Sequence, residues 1–416
     1  MVPCFVPGCQ TGDGEIVQRR SPPAQGPPAR VLVLTAGTGA GHDSTAEALA
    51  GALQAALPAV RVHIYDALRR GERDALLRAD RWYDLAVAHA PRLWGLFYHL
   101  TNHEGMVRLS VAVAALLWEQ RLRSVLHAER PDLVLSVHPL CARLAARALH
   151  DVPSSPPHHC VVTDLVTVHR CWAAPGVATF YVATSQAAAA LVAAGIPVAR
   201  IHVAGLPVRC GFSGPPSAPL RRPQIAVLML GGGGATRALE RAARTLLACR
   251  LPLRLVVVCG HNEHLRRRLA ALGHGRATVL GWRDDVAALI RASHVVVTKA
   301  GSATLAEAFS QARPVLAYQA LPGQEEGNVA LLEQERLGRH VADVAALPTA
   351  IVELCARDAM PYAAERAFWW AGAAARIVEH LVAAIAATRF HSNPPSSLAR
   401  RRSLDRPTLG TRLRGE

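Results

Sequence analysis

This 416-residue sequence predicts an α/β protein of two doubly wound domains that face each other across a cleft. Three observations carry that prediction. Short, nearly continuous apolar runs alternate with Ala- and Leu-rich helical stretches, the mark of parallel sheets covered on both faces. The alternation stops once, at a Gly- and Pro-rich stretch over 205–223, and then starts again. Glycines, histidines and isolated acids collect in loops just after predicted strands, where open α/β sheets bind their ligands.

The elements follow in order. Residues 1–29 are rich in Pro, Gly, Ser and Gln without periodicity and read as a disordered tail. They lack the apolar stretch of a signal peptide. Residues 30–210 form the first domain, with strands at 31–35, 60–65, 133–137 and 159–163 and helices at 42–57, 106–128 and 139–150. Residues 211–223 form the linker. Residues 224–390 form the second domain, with strands at 225–230, 253–259, 277–281, 294–298 and 314–318. Its helices lie near 235–248, 262–272, 284–292, 302–311 and 327–336, and a last helix is expected to return to the first domain. Residues 391–416 read as a disordered basic tail with Arg400, Arg401 and Arg402. The longest apolar run, Leu109 to Trp118, is bounded by Arg108 and Glu119. It falls short of the roughly 20 residues that a membrane span needs.

Composition narrows the classes. With 51% hydrophobic residues the chain can build large cores, which excludes global disorder. Nine cysteines, spread out and without a CxxC pair, argue against a disulfide scaffold and for free thiols in a reducing compartment. The net charge of +15 does not form one stripe. Residues 211–390, the linker and second domain together, carry +7, the first domain +4 and the C-terminal tail +4. Lys299 is the sole lysine, so the basic excess is arginine and follows a GC-rich codon bias. No nucleic-acid partner is expected; the excess suits an acidic ligand or an anionic membrane surface.

Two loops carry chemistry. Strand 31–35 runs into Ala36-Gly37-Thr38-Gly39-Ala40-Gly41-His42 before a helix. Glycines there admit a ligand close to backbone, and a helix N-terminus favours negative charge. The spacing is neither a dinucleotide fingerprint nor a Walker loop. A tight turn without ligand is the plain alternative. His42, at the loop's mouth, suits general-base work near neutral pH, or packing. In the second domain, strand 294–298 runs into Lys299-Ala300-Gly301-Ser302-Ala303-Thr304, with Glu307 a turn later. First-turn amides can hold a phosphate, and a carboxylate one turn on can take two ribose hydroxyls. Its alternative is helix-dipole stabilisation worth ~0.5 kcal/mol. One strand later comes Pro322-Gly323-Gln324-Glu325-Glu326-Gly327-Asn328, polar groups suited to sugar hydroxyls. Together these describe a nucleotide-sugar pocket.

These residues resemble glycosyltransferase family 28. That GT-B group contains monogalactosyldiacylglycerol synthases, processive diacylglycerol glycosyltransferases and, more distantly, the lipid II N-acetylglucosaminyltransferase. The resemblance covers roughly residues 30–385, and the segments 161–177 and 195–212 are its most specific part. Asp164, Leu165, Thr167, His169 and Trp172 keep the spacing of the galactolipid-synthase signature, and GLPVR at 205–209 matches too. The resemblance implies inverting, metal-independent transfer of galactose or glucose from UDP-galactose or UDP-glucose to a lipid hydroxyl, most simply that of a diacylglycerol. Carried over by position, Glu307 would hold the ribose, and Ser302, Ala303 and Thr304, with Gly301 and Lys299 beside them, the diphosphate. Gln324, Glu325 and Asn328 would contact the sugar. Gly281, Trp282 and Arg283 would contact the uracil, and Gly231, Gly232 and Gly233 would complete the donor loop. His42 would be the general base, or Asp164 directly or through His169. Thr38, Gly39, Gly41 and Trp172 would border the acceptor and diphosphate.

Three departures stand out. Asp43 follows His42, and its charge would raise the histidine pKa or repel the diphosphate. The stretch 231–240 lacks the later glycines of the family's donor loop, and Arg170 and Ala173 flank Trp172. His158, His159, Cys160, His169 and Cys171 fit no structural zinc spacing, so no metal or other cofactor is expected. Trp82, Tyr83, Trp94, Phe97, Tyr98 and Trp118 form either a helix–helix core or a membrane-facing belt with Arg92, Arg108, Arg121 and Arg123. A lipid-glycosylating enzyme favours the belt, peripheral on the cytoplasmic face of the plasma membrane. Transfer to a polyprenyl-linked or secondary-metabolite acceptor, epimerisation of a UDP-sugar, and a non-catalytic nucleotide-sugar module stay open. Nothing in the sequence specifies an oligomeric state.

Overall fold

The structure is a computed structural model. It describes residues 27–37, 40–68, 86–87, 90–150, 152, 154–214, 224–231, 236–272, 275–356 and 360–392. The expected tails therefore lie outside the described residues, apart from 27–29 and 391–392, as does most of the linker.

Two six-stranded, all-parallel sheets carry the fold. The first is ordered β2-β1-β3-β4-β5-β6, with β1 Arg30–Thr35, β2 Arg61–Asp66, β3 Leu133–Ser136, β4 His158–Val161, β5 Thr179–Val182 and β6 Ile201–Val203. The second is ordered β12-β11-β10-β7-β8-β9, with β7 Ile225–Leu230, β8 Leu253–Val258, β9 Ala277–Leu280, β10 Val295–Lys299, β11 Val315–Gln319 and β12 Gly338–His340. Central strands such as β1, β3 and β10 are buried almost end to end, as strands covered by helices on both faces must be. The strand order reverses between β1 and β3 in one sheet and between β7 and β10 in the other. At such a reversal the following loops diverge and leave a crevice at the C-terminal strand ends. The helix α1 (Ala40–Ala56) follows β1, so the loop bearing His42 stands at the first reversal.

Residues 91–129 form a helical layer. It comprises α2 (Pro91–Thr101), α3 (Glu104–Ala114), a π-helical turn (Ala115–Glu119) and α4 (Gln120–Glu129). The remaining first-domain helices are α5 (Pro139–His150) and α6 (Ser185–Ala193). Strands β5, β6 and β12, of three or four residues, are not among the strands expected from the sequence.

The second sheet is covered by α7 (Thr236–Ala248), α8 (Glu263–Leu272), α9 (Val286–Arg291), α10 (Ser302–Ser310), α11 (Glu326–Gln334) and α12 (Leu347–Ala356). Two further helices, α13 (Met360–Ala371) and α14 (Ala373–Ser392), then lead the chain back. On α14, Ile377, Val378, Leu381 and Ile385 bury themselves with Val31, Leu49, Leu53 and Leu133 of the first domain. Arg376 donates to the Ala204 carbonyl at 2.9 Å. By length and composition alone, the helical run Arg366–Arg389 could cross a bilayer. This corrects the expectation that Leu109–Trp118 is the longest apolar candidate. Arg376, Glu379 and His380 interrupt the run, so a search for unbroken apolar residues misses it. Its apolar residues are spent on both cores, Ala367 and Trp370 on the second domain and Ile377 to Ile385 on the first.

Candidate active site

The two reversals face each other and enclose a cleft of about 400 Å³ lined by both halves. They meet closely: a Cβ added at Gly41 would stand 3.6 Å from the Ala303 Cβ at the start of α10.

On the first-domain side, His42 Nδ1 lies 2.7 Å from the Val137 carbonyl oxygen at the end of β3. A carbonyl only accepts, so Nδ1 carries the proton and Nε2 keeps the lone pair. Thr163 Oγ1 lies 3.1 Å from the same Nδ1, and the His138 ring meets His42 edge-on at 4.7 Å. Burial pushes His42 down to about 4, with the Val137 bond opposing. It is therefore a neutral imidazole at physiological pH. This corrects the expectation that Asp43 raises it. Asp43 Oδ1 accepts from Thr35 Oγ1 at 2.8 Å at the end of β1, and desolvation of the imidazole outweighs any upward pull.

Asp164 lines the same cleft. Burial pushes its carboxyl up to about 6, against bonds from Trp172 Nε1 to Oδ2 at 2.8 Å and from the His169 backbone. His169 itself is not a cleft-lining residue. Its Nδ1 accepts from the Cys171 amide at 3.1 Å, capping a 3-10 turn, and its Nε2 meets Thr101 Oγ1 at 3.3 Å. Both ring nitrogens are thus engaged, and burial pushes the group down to about 4. Trp172 is likewise buried and borders the cleft from behind, through its bond to Asp164 and its ring 6.3 Å from that of His42. Thr38 and Gly39 lie outside the described residues.

On the second-domain side, α10 begins at Gly301 with no side-chain cap, so its first-turn amides, at Ser302, Ala303 and Thr304, are open toward the cleft. Lys299 Nζ donates to Glu325 Oε1 at 2.6 Å, and the Leu321 amide donates to Glu325 Oε2 at 3.0 Å. That carboxylate is occupied on both oxygens. Asn328 sits behind the wall, where its Nδ2 donates to the Ala300 carbonyl at 2.8 Å and fastens the loop. Gln324 faces the cleft and accepts from Trp94 Nε1 at 3.3 Å. Glu307 faces the cleft and is paired with Arg209 Nη2 at 3.1 Å, while burial pushes its pKa up. Trp282 lies stacked on His261 at 4.4 Å, and Arg283 pairs with Asp285 at the rim. Gly231 admits the Leu239 side chain, which a Cβ would meet at 2.5 Å. Gly232 and Gly233 lie outside the described residues.

The sequence reading missed Thr163, Arg209 and the Val137 carbonyl. The first two stand inside the segment 161–177 and the GLPVR motif at 205–209, so a signal existed. The role of a carbonyl leaves no trace in residue type. Of the five residues weighed as zinc ligands, His158 bonds Ser136 Oγ at 2.8 Å and His159 lies against the Tyr181 hydroxyl at 3.3 Å.

Comparison with known proteins bears on this geometry. The sequence profile of monogalactosyldiacylglycerol (MGDG) synthase matches residues 42–208, and that of glycosyl transferases group 1 matches 231–357. A probable monogalactosyldiacylglycerol synthase 2 of Oryza sativa subsp. japonica is 30% identical over 321 residues, covering 72% of this chain and 68% of that protein. The chain belongs to the monogalactosyldiacylglycerol synthase family. Monogalactosyldiacylglycerol synthase 2 of Arabidopsis thaliana is 28% identical over 330 residues, covering 74% of this chain and 70% of that protein. Among solved structures, MurG of Acinetobacter baumannii superposes with a TM-score of 0.55 at 15% identity over 85% of this chain and 98% of its own. A putative UDP-N-acetylglucosamine 2-epimerase from Listeria monocytogenes superposes at 0.54 and 15% identity over 84% and 95%. These likenesses show the GT-B fold, which transferases and an epimerase share. Family membership makes this chain a glycosyltransferase.

Proposed function

We propose that this enzyme transfers a hexose, galactose in the first place and glucose in the second, from its UDP-sugar to the free hydroxyl of a diacylglycerol at a membrane surface. One observation carries the reading. A neutral imidazole with its lone pair on Nε2 and a carboxylate of raised pKa share a cleft with an uncapped helix N-terminus and an ammonium. The first pair suits taking a proton; the second suits an anionic leaving group.

The step is a single displacement. The acceptor oxygen gives its proton to Asp164 or His42 Nε2 and bonds the anomeric carbon from the side opposite the departing UDP. Configuration inverts as the C–O bond to the diphosphate breaks. The charge on UDP falls on the α10 amides and Lys299, which stand where a metal ion would otherwise serve, so the proposed reaction needs no metal or other cofactor. Glu307 takes the ribose and Gln324 the sugar. The aromatics that the sequence left as core or belt divide between the two: Tyr98 and Trp118 are buried, Trp94 reaches Gln324, and Phe97 is exposed beside a row of aliphatics. Trp82 and Tyr83 lie outside the described residues. The exposed row supports a peripheral enzyme, which we place on the cytoplasmic face of the plasma membrane.

Incubation with diacylglycerol vesicles and a panel of UDP-sugars, followed by mass spectrometry, tests this. A monohexosyl diacylglycerol formed from UDP-galactose or UDP-glucose is expected. No glycolipid from any donor overturns it.

A further inference from the structure

Helix α2 has two faces that serve different parts of the molecule. Leu93, Leu96, Phe97 and Leu100 recur at i, i+3, i+4 and i+7, and all four are more than half exposed. A helix packed in a soluble core hides such a stripe. Here it points outward, and α3 extends it with exposed Met106, Leu109 and Val113, while Leu116 on the π-helical turn is 88% exposed. Across residues 91–118, Glu104 is the sole acid, against Arg92 and Arg108. A broad aliphatic face that carries Arg92 and an Arg108 paired with Glu104 at 3.3 Å, on the helix that touches the cleft loop at Gln324, suits the interface of an anionic bilayer.

The opposite face of α2 grips the loop that carries Gln324. Trp94 Nε1 donates to Gln324 Oε1 at 3.3 Å. A Cβ at Gly95 would stand 2.5 Å from Pro322 Cβ, so helix and loop already touch at the glycine. Gly323, at φ +77°, lies under Tyr98, where a Cβ would come 2.7 Å from the ring. Tyr98 is tied to its own domain, its hydroxyl donating to the Thr167 carbonyl at 3.3 Å. A rigid helix with no slack on this side transmits displacement: if α2 moves, Pro322 to Gln324 must move or lose these contacts. With them moves the adjoining Glu325, which holds the diphosphate-side Lys299 at 2.6 Å.

We propose that docking of α2 and α3 on an anionic bilayer is energetically coupled to the donor site through Trp94, Gly95 and Tyr98, so that the membrane tightens UDP binding. The inference rests on the membrane-facing transferase reading above and adds its regulation. Coupling of this kind is reciprocal: UDP must strengthen membrane binding by the same factor.

The test is calorimetric titration of UDP into the full chain, alone and with acceptor-free vesicles of phosphatidylcholine and phosphatidylserine, alongside vesicle co-sedimentation with and without UDP. Vesicles should tighten UDP binding at least about fivefold, with the same factor in the reverse experiment. Trp94→Phe should still co-sediment, yet show a UDP affinity ratio near one. Leu96→Ser with Phe97→Ser should lose both co-sedimentation and the vesicle effect. Wild-type protein that co-sediments and binds UDP equally with and without vesicles overturns the coupling while leaving the transferase reading intact. Failure to co-sediment, or light scattering that shows the stripe buried in a dimer, overturns the docking surface. Absence of UDP binding under both conditions overturns the transferase reading itself.

Discussion

The two walls of the cleft handle charge in opposite ways. In the donor wall every central acid is matched: Glu325 with Lys299 and Glu307 with Arg209. In the acceptor wall His42 and His138 are kept neutral by burial, and Asp164 is stabilised by neutral donors, the Trp172 indole and the His169 amide. Matched charges hold position and can be re-partnered when an anionic ligand enters. Among these unmatched, desolvated groups Asp164, raised to about 6, exchanges its proton near neutral pH, while His42, lowered to about 4, stays a neutral acceptor. One wall is built to bind and the other to move a proton.

Four experiments bear on that contrast, from the largest effect down. Asp164→Asn should cut the turnover of hexose transfer by roughly 10²–10⁴-fold while calorimetry shows UDP affinity held, as fits a group that moves a proton. Equal losses in both would erase the contrast. Glu325→Ala strips the Lys299 ammonium of a buried partner and should cost about 3–5 kcal/mol of stability, read from the urea midpoint. The pH profile of kcat/KM comes next. The carboxylate is the reactive form of Asp164, so the rate should fall about tenfold per unit as pH drops below about 6. An acid limb near 4 would instead make His42 the base, because His42 stays neutral down to about 4. Last, Thr163→Val removes one partner of His42 Nδ1 and leaves the Val137 carbonyl. A loss of about 1 kcal/mol, some five- to tenfold in rate, is expected. No change in the rate would leave the carbonyl as the sole orienting group.

The helices at 91–118 show where reading by residue type stops. Their aromatics were open to two readings, a helix–helix core or a membrane-facing belt, and each holds for part of them. Tyr98 is turned inward, Trp94 reaches across to Gln324, and Phe97 stays outside with Leu93, Leu96 and Leu100. The helical spacing of these leucines was present in the sequence, but spacing says which residues share a face and not which face meets solvent. His169 makes the same point. Its position within the motif suggested chemistry, and the structure gives it a capping bond to the Cys171 amide.

By itself the sequence determined the two-domain α/β plan, the strand-to-loop positions of His42, Asp164 and Lys299, and the family resemblance. Those features depend on local periodicity and on residue type at short spacing, which the chain carries in order. Only the tertiary structure decided that Val137 orients His42, that burial overrides Asp43, that Arg209 meets Glu307, and that α14 closes on the first domain. These depend on desolvation and on contacts between residues about 100 or more apart in the chain, and neither is encoded locally.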